Sequence, residues 1–166
     1  MGLRMKVKVS VLAMAFLLIL MPSRAASYQN RAALVGLKGV WVLVESVHPE
    51  TESQSLIKDQ IKTDVELRLR KAGIRVLTPN QAAVIPGKPV LLVYVNAAIA
   101  SGICVYVALV QLTEDVTLAR GIETTAITWD AYLTGSIKAQ NISKVRKDVS
   151  DLVDKFITDY RAANPK

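Results

Sequence analysis

Six of the chain's carboxylates stand where acid–base chemistry could be built: Glu45, Asp64, Glu66, Glu114, Asp115 and Asp130. A glycosidase-type reaction needs two of them across a cleft, one protonated and one ionised. The spacing pairs none of them. Glu114 and Asp115 are neighbours in a strand-like stretch and therefore point to opposite faces. Glu45, late in an otherwise apolar segment, and Asp130, on the polar side of a later one, are the two candidate functional carboxylates. Arg68 or Arg75 is the base that Glu45 would meet.

Nucleophilic and metal chemistry have less to work with. Cys104 is the single cysteine and lies in the apolar run Ile103-Cys104-Val105-Tyr106-Val107, the setting of a small buried hydrophobe. A catalytic thiol wants a histidine beside it. The only histidine, His48, precedes Pro49 at the end of another apolar segment and reads as a surface loop residue. One His and one Cys fall short of the four such ligands of a structural zinc site. The sequence contains no G-x-S-x-G, H-E-x-x-H, P-loop or G-x-G-x-x-G. No catalytic residue, cofactor or metal site is therefore expected, and Trp41 and Trp129 read as core residues.

The elements that must carry these side chains begin after a leader. Arg4, Lys6 and Lys8 precede an apolar run over residues 9–21, closed by Pro22-Ser23-Arg24-Ala25. That is the order of a secretory signal peptide, with cleavage expected between Ala25 and Ala26. The run is about 13 residues, short of the roughly 20 that span a bilayer. No cysteine stands at the cut, so a lipoprotein anchor is not expected. The formal charge of +7 is partly the leader's. Taking Arg4, Lys6, Lys8 and Arg24 from 21 basic residues, against 14 acidic, lowers it to +3. Such a balance, without a Lys/Arg cluster, argues against a nucleic-acid partner.

The remaining residues form one domain by length, with 26–38 a loosely ordered approach and 39–164 the folded unit. Residues 39–47 are rich in β-branched and aromatic side chains and read as a buried strand. Thr51 and Gln54 have the form of a capping box. Ile57, Ile61, Val65, Leu69 and Ala72 then recur on one helical face, and Gly73 stops the helix with Ile74 as its hydrophobic contact. Ile74-Arg75-Val76-Leu77 is a short strand, completing a βαβ unit, and residues 81–89 are a connecting loop.

Residues 89–113 carry no charge, which raises membrane association through residues 90–112 as an alternative. The run is heavily β-branched and interrupted by Asn96 and Ser101-Gly102, so two antiparallel strands, 90–98 and 103–119, are the better reading. A third strand, 124–139, places Thr125, Ile127, Trp129, Ala131 and Leu133 on one face, with Gly135 marking a bulge or bend. A last helix follows, capped by Asn141 or Ser143. Its apolar stripe runs from Ile142 through Val145, Val149, Leu152, Val153 and Phe156 to Tyr160. Lys144, Lys147, Asp151, Lys155 and Asp159 form its solvated side.

The order β-α-β-β-β-β-α gives an α+β, two-layer sandwich: a mixed, mostly antiparallel sheet with both helices on one face. The strands over 90–95 and 103–110 are apolar on both sides. The second face must then be covered by residues 81–89, by 32–37, or by a partner.

Thr63-Asp64-Val65-Glu66-Leu67-Arg68-Leu69-Arg70-Lys71-Ala72-Gly73-Ile74-Arg75-Val76-Leu77, Thr128-Trp129 followed by Gly135, and Leu152 to Tyr160 with Asn164-Pro165 resemble a group of small, uncharacterised exported bacterial proteins. More loosely, the same succession is similar to periplasmic α/β domains: the amino-terminal domain of the Tol-system propeller protein, and the curli-secretion and penicillin-binding-protein-activator lipoproteins. The chain departs from these in lacking an acylated cysteine and a propeller. The resemblance implies an interaction or assembly module. The two-sided apolar strands point to an envelope protein or a second copy as partner, and the hairpin reading of residues 89–113 to no stable membrane insertion once the leader is removed. A carrier of a small apolar ligand between helices and sheet is the alternative. An enzyme using Glu45 or Asp130 is a third reading.

Overall fold

A computed structural model describes residues 31–46, 54–141 and 143–165. The leader, the Ala25/Ala26 cut, His48 and the Thr51 cap lie outside the described residues. Five strands form one mixed sheet: β1 (Val40–Ser46), β2 (Val76–Leu77), β3 (Val90–Ala100), β4 (Ile103–Thr117) and β5 (Glu123–Lys138). Their spatial order is β2-β1-β3-β4-β5. β1 runs parallel to both β2 and β3, and β3, β4 and β5 form an antiparallel meander.

Helix α1 (Gln54–Lys71) follows β1 because its apolar residues keep the 3.6 period; Ile61, Val65 and Leu69 are buried in the core. It ends in a Schellman motif. Gly73, at φ +81°, donates to the Arg70 carbonyl at 3.0 Å, and Ile74 donates to that of Leu69 at 2.9 Å and buries its side chain. The uncharged run of residues 89–113 is a hairpin, closed by the two-residue turn Ser101-Gly102 with both residues at positive φ. No helix among the described residues is long and apolar enough to cross a membrane.

The long helix α3 (Lys144–Ala163) buries Val145, Val149, Leu152, Val153, Phe156 and Ile157. Arg146 ties it to α1, donating to Asp64 at 2.6 Å and to Gln60 at 2.7 Å, and Arg68 of α1 binds Asp154 at 2.8 Å. Both helices share one core with Val40, Val42, Val44, Leu91, Val93 and Val110, so they lie on one face of the sheet, as the patterns imply.

Four local expectations are corrected. Residues 31–38 are not a loose approach: a 3-10 turn, Arg31–Leu34, drives Leu34 and Leu37 into the helix-side core. Residues 81–89 are not all loop, because Thr78 caps a short helix, α2 (Pro79–Ala83), in a capping box with Gln81. The signal, Thr-Pro-x-Gln, reads equally well as the end of a strand. Ser143 precedes α3 without a side-chain cap bond.

The fourth correction concerns the meander. Gly135 pairs regularly with Tyr106, and the bulge lies instead at Thr128, between the pairs Leu112↔Trp129 and Thr113↔Ile127. One extra residue reverses every side chain beyond it. Ile127 and Thr125 therefore leave the face of Trp129 and point to the opposite side.

Candidate functional site

The register of the strands defines the face of the sheet away from α1 and α3. Trp41, Val90, Thr113 and Ile127 lie side by side across it, then Leu43, Leu92, Gln111 and Asp130, then Glu45, Tyr94, Leu109 and Tyr132. Alternation in β1, β3 and β4 sends these positions outward while their neighbours enter the core. Trp41, expected in the core, therefore stands on the outer face and is partly exposed.

Leu43, Leu92, Tyr94, Leu109 and Tyr132 are partly exposed as well, and Ile127 and Val105 are 53% and 58% exposed. Among the described residues only α2 lies over this face, at its Leu77 end. Leu77 pairs with Trp41, and both Leu77 and Ala82 are buried outside the helix-side core. Of the two segments expected to cover the face, 32–37 thus goes to the other side, and 81–89 reaches one end only.

Glu45 and Asp130 do share this face. Two strands separate theirs and their rows are two residues out of step, so by ladder spacing and strand rise they stand about 16 Å apart. They flank the apolar strip from opposite edges and share no cleft. Arg68, one of the two bases expected for Glu45, is engaged by Asp154. Glu114 accepts a hydrogen bond from Thr128 at 2.6 Å, and Asp115 binds Lys88 at 2.8 Å. That ion pair, reinforced by Thr125 at 2.9 Å, holds the Asp115 carboxyl below its usual range and the Lys88 ammonium above its own. Both groups stand in solvent beside an open groove of about 440 Å³ lined by Val84, Pro86 and Glu123. No three His, Cys, Asp or Glu side chains gather into a metal-binding group among the described residues.

The helix side of the sheet is filled. Trp129 and Phe156, both fully buried, meet edge to face with ring centroids 5.1 Å apart. Cys104 is buried, as its apolar run implies.

Two polar features of this layer were not read from the sequence. Asp159, expected on the solvated side of α3, is 2% exposed. It accepts from the Trp129 indole at 3.1 Å and from Arg31 at 2.7 Å. Its position seven residues after Leu152 on the apolar stripe was the available signal. The second is Tyr106, whose hydroxyl donates to Asp148 on α3. Burial first, then the Asp148 hydrogen bond and charge, push the Tyr106 phenol up to about 12. A phenol held neutral in this way is a tether between sheet and helix and does not ionise at neutral pH.

No family model matches the chain, and no curated protein matches its sequence.

Proposed function

We propose that this chain is a non-enzymatic, exported binding protein that docks another envelope protein on its outer sheet face. The observation that carries the reading is the apolar strip of Trp41, Leu43, Leu92, Tyr94, Leu109 and Tyr132, left partly open to water while a complete core fills the other side. Contiguous apolar surface of this kind is retained where a partner covers it, and aromatic anchors such as Trp41, Tyr94 and Tyr132 supply much of the binding energy at protein interfaces. Glu45 and Asp130, set at the two margins, fit the polar rim of such a patch and fix orientation.

Export is supported by the basic start, the short apolar run and the small residues ending at Ala25. N-terminal sequencing of the mature protein checks it, with Ala26 expected first.

The docking reading is tested by placing a photoreactive amino acid at Leu92 or Leu109 in the exporting cell, with exposed Lys62 of α1 as the control position. The expected result is an adduct with one other envelope protein from both sheet positions and none from position 62, lost in a folded Leu109→Asp variant. Absence of any adduct with another protein from either sheet position overturns the reading.

A further inference from the structure

The outer face ends at an edge that is itself unpaired. β5 is the last strand of the sheet, and its side away from β4 receives no backbone hydrogen bond from any described residue. Edge strands of this length are normally blunted by proline, by closely spaced charges or by a covering element. Over residues 130–138 β5 has no proline and no closely spaced charges, and no described residue pairs with that edge: between Asp130 and Lys138 the sequence is Ala-Tyr-Leu-Thr-Gly-Ser-Ile, uncharged throughout. Asp130 and Lys138 belong to no ion pair among the described residues.

We propose that β5 pairs antiparallel with β5 of a second copy of this chain, in the register that sets Thr134 opposite Thr134, and so joins two sheets into one of ten strands. The register follows from charge and parity. A two-fold axis normal to the sheet keeps both helix layers on one side and places outer-face residues opposite outer-face residues. Past the bulge, the even-numbered residues of β5 face outward, Asp130 and Lys138 among them. β5 carries three charges, Glu123, Asp130 and Lys138.

Glu123 is odd-numbered but precedes the bulge, so it too faces outward; reaching Lys138 would need an odd sum of residue numbers and a pairing that runs through both copies' bulges. Within the regular part of the strand, one register alone joins opposite charges. It sets Asp130 of each copy against Lys138 of the other, twice over because the axis repeats the contact. Directly opposed side chains in such a ladder stand about 5 Å apart at Cβ, within reach of an ion pair.

The same register places Tyr132 opposite Ser136 and Leu133 opposite Gly135, each large side chain against a small one. It also makes the two outer apolar faces continuous across the seam. The interface supplies main-chain hydrogen bonds for affinity and the two charge pairs for register, as strand addition does elsewhere.

The test is a charge exchange read by sedimentation equilibrium of the purified protein. The parent chain is expected to be a dimer. Asp130→Lys and Lys138→Asp each set like charges face to face and are expected to weaken self-association at least tenfold, and the double exchange restores it. Far-UV circular dichroism establishes that every variant is folded.

A second measurement does not depend on the charges. Thr134→Cys is expected to form an intermolecular disulfide on mild oxidation, while Thr124→Cys, outside the paired segment, does not. A parent chain that stays monomeric up to high micromolar concentration overturns the proposal. So does a dimer indifferent to both single exchanges, or a folded double exchange that fails to recover it.

Discussion

The ring of Tyr106 lies across Gly135, its direct partner on the neighbouring strand, so closely that a Cβ at position 135 would stand 2.6 Å from the tyrosine hydroxyl. The glycine is there because the ring takes the volume of a side chain. In return the ring covers a stretch of strand that would otherwise lie bare, and its hydroxyl reaches Asp148 on α3. Gly135→Ala must displace the ring and is expected to cost about 1–3 kcal/mol, the usual range for overpacking. Urea denaturation measures it. Combined with Tyr106→Ala, the same change should cost far less, because the obstructing ring is gone. Additive losses in that double-mutant cycle would refute the steric account.

Alkaline pH tests the same tether. The Tyr106 phenol is raised to about 12, against an ordinary value near 10 in the unfolded chain. The folded state therefore keeps its proton where the unfolded state has lost it. The stabilisation is complete below pH 10 and disappears between about pH 10 and 12, amounting to on the order of 2 kcal/mol. Comparing unfolding free energies of the parent and Tyr106→Phe across that range isolates this contribution. The phenylalanine variant should be less stable at pH 8 by about 1 kcal/mol for the lost hydrogen bond, and should show a shallower alkaline decline.

Asp159 is the other polar group on which the helix layer depends. Asp159→Ala leaves the indole N–H of fully buried Trp129 without an acceptor and releases Arg31, which is 59% exposed and returns to water. The orphaned indole sets the scale, about 1–3 kcal/mol. Asp159→Asn keeps an acceptor for Trp129 and should lose less than half as much. Equilibrium denaturation followed by tryptophan fluorescence reports both, and equal losses in the two variants would contradict this assignment.

Between the helices, Arg146 donates to Asp64 and Gln60, and all three side chains are accessible to solvent. Arg146→Ala is expected to cost about 1 kcal/mol or less, and the loss should shrink in molar salt, since exposed ion pairs are screened. A loss that is independent of salt would mean that the aliphatic stem of Arg146, packed between the helices, supplies the effect.

Most of the fold was legible because most of it is periodic. The stripe from Ile61 to Leu69, the glycine stop at Gly73 and the β-branched run around Ser101-Gly102 each carry a local signal whose meaning does not depend on distant residues. The candidate site was legible only in part. The apolar excess of β3 and β4 on both sides announced a second buried or covered face, but which residues form it depended on register. By its type Trp41 reads as a core residue, and its strand parity puts it outside.

The sequence by itself determined the order of the five strands and the two long helices, the apolar stripes of those helices and the absence of any recognisable catalytic motif, because periodicity, capping and residue chemistry act over a few neighbouring positions. Only the tertiary structure decided where the sheet is covered. The bulge at Thr128 turned Ile127 outward, the Arg31–Leu34 turn went to the helix side, and the indole of Trp129 with the guanidinium of Arg31 made a burial site for Asp159. Each of these outcomes is fixed by a contact between residues far apart in the chain, whose energy exists only once the sheet and the helices have met.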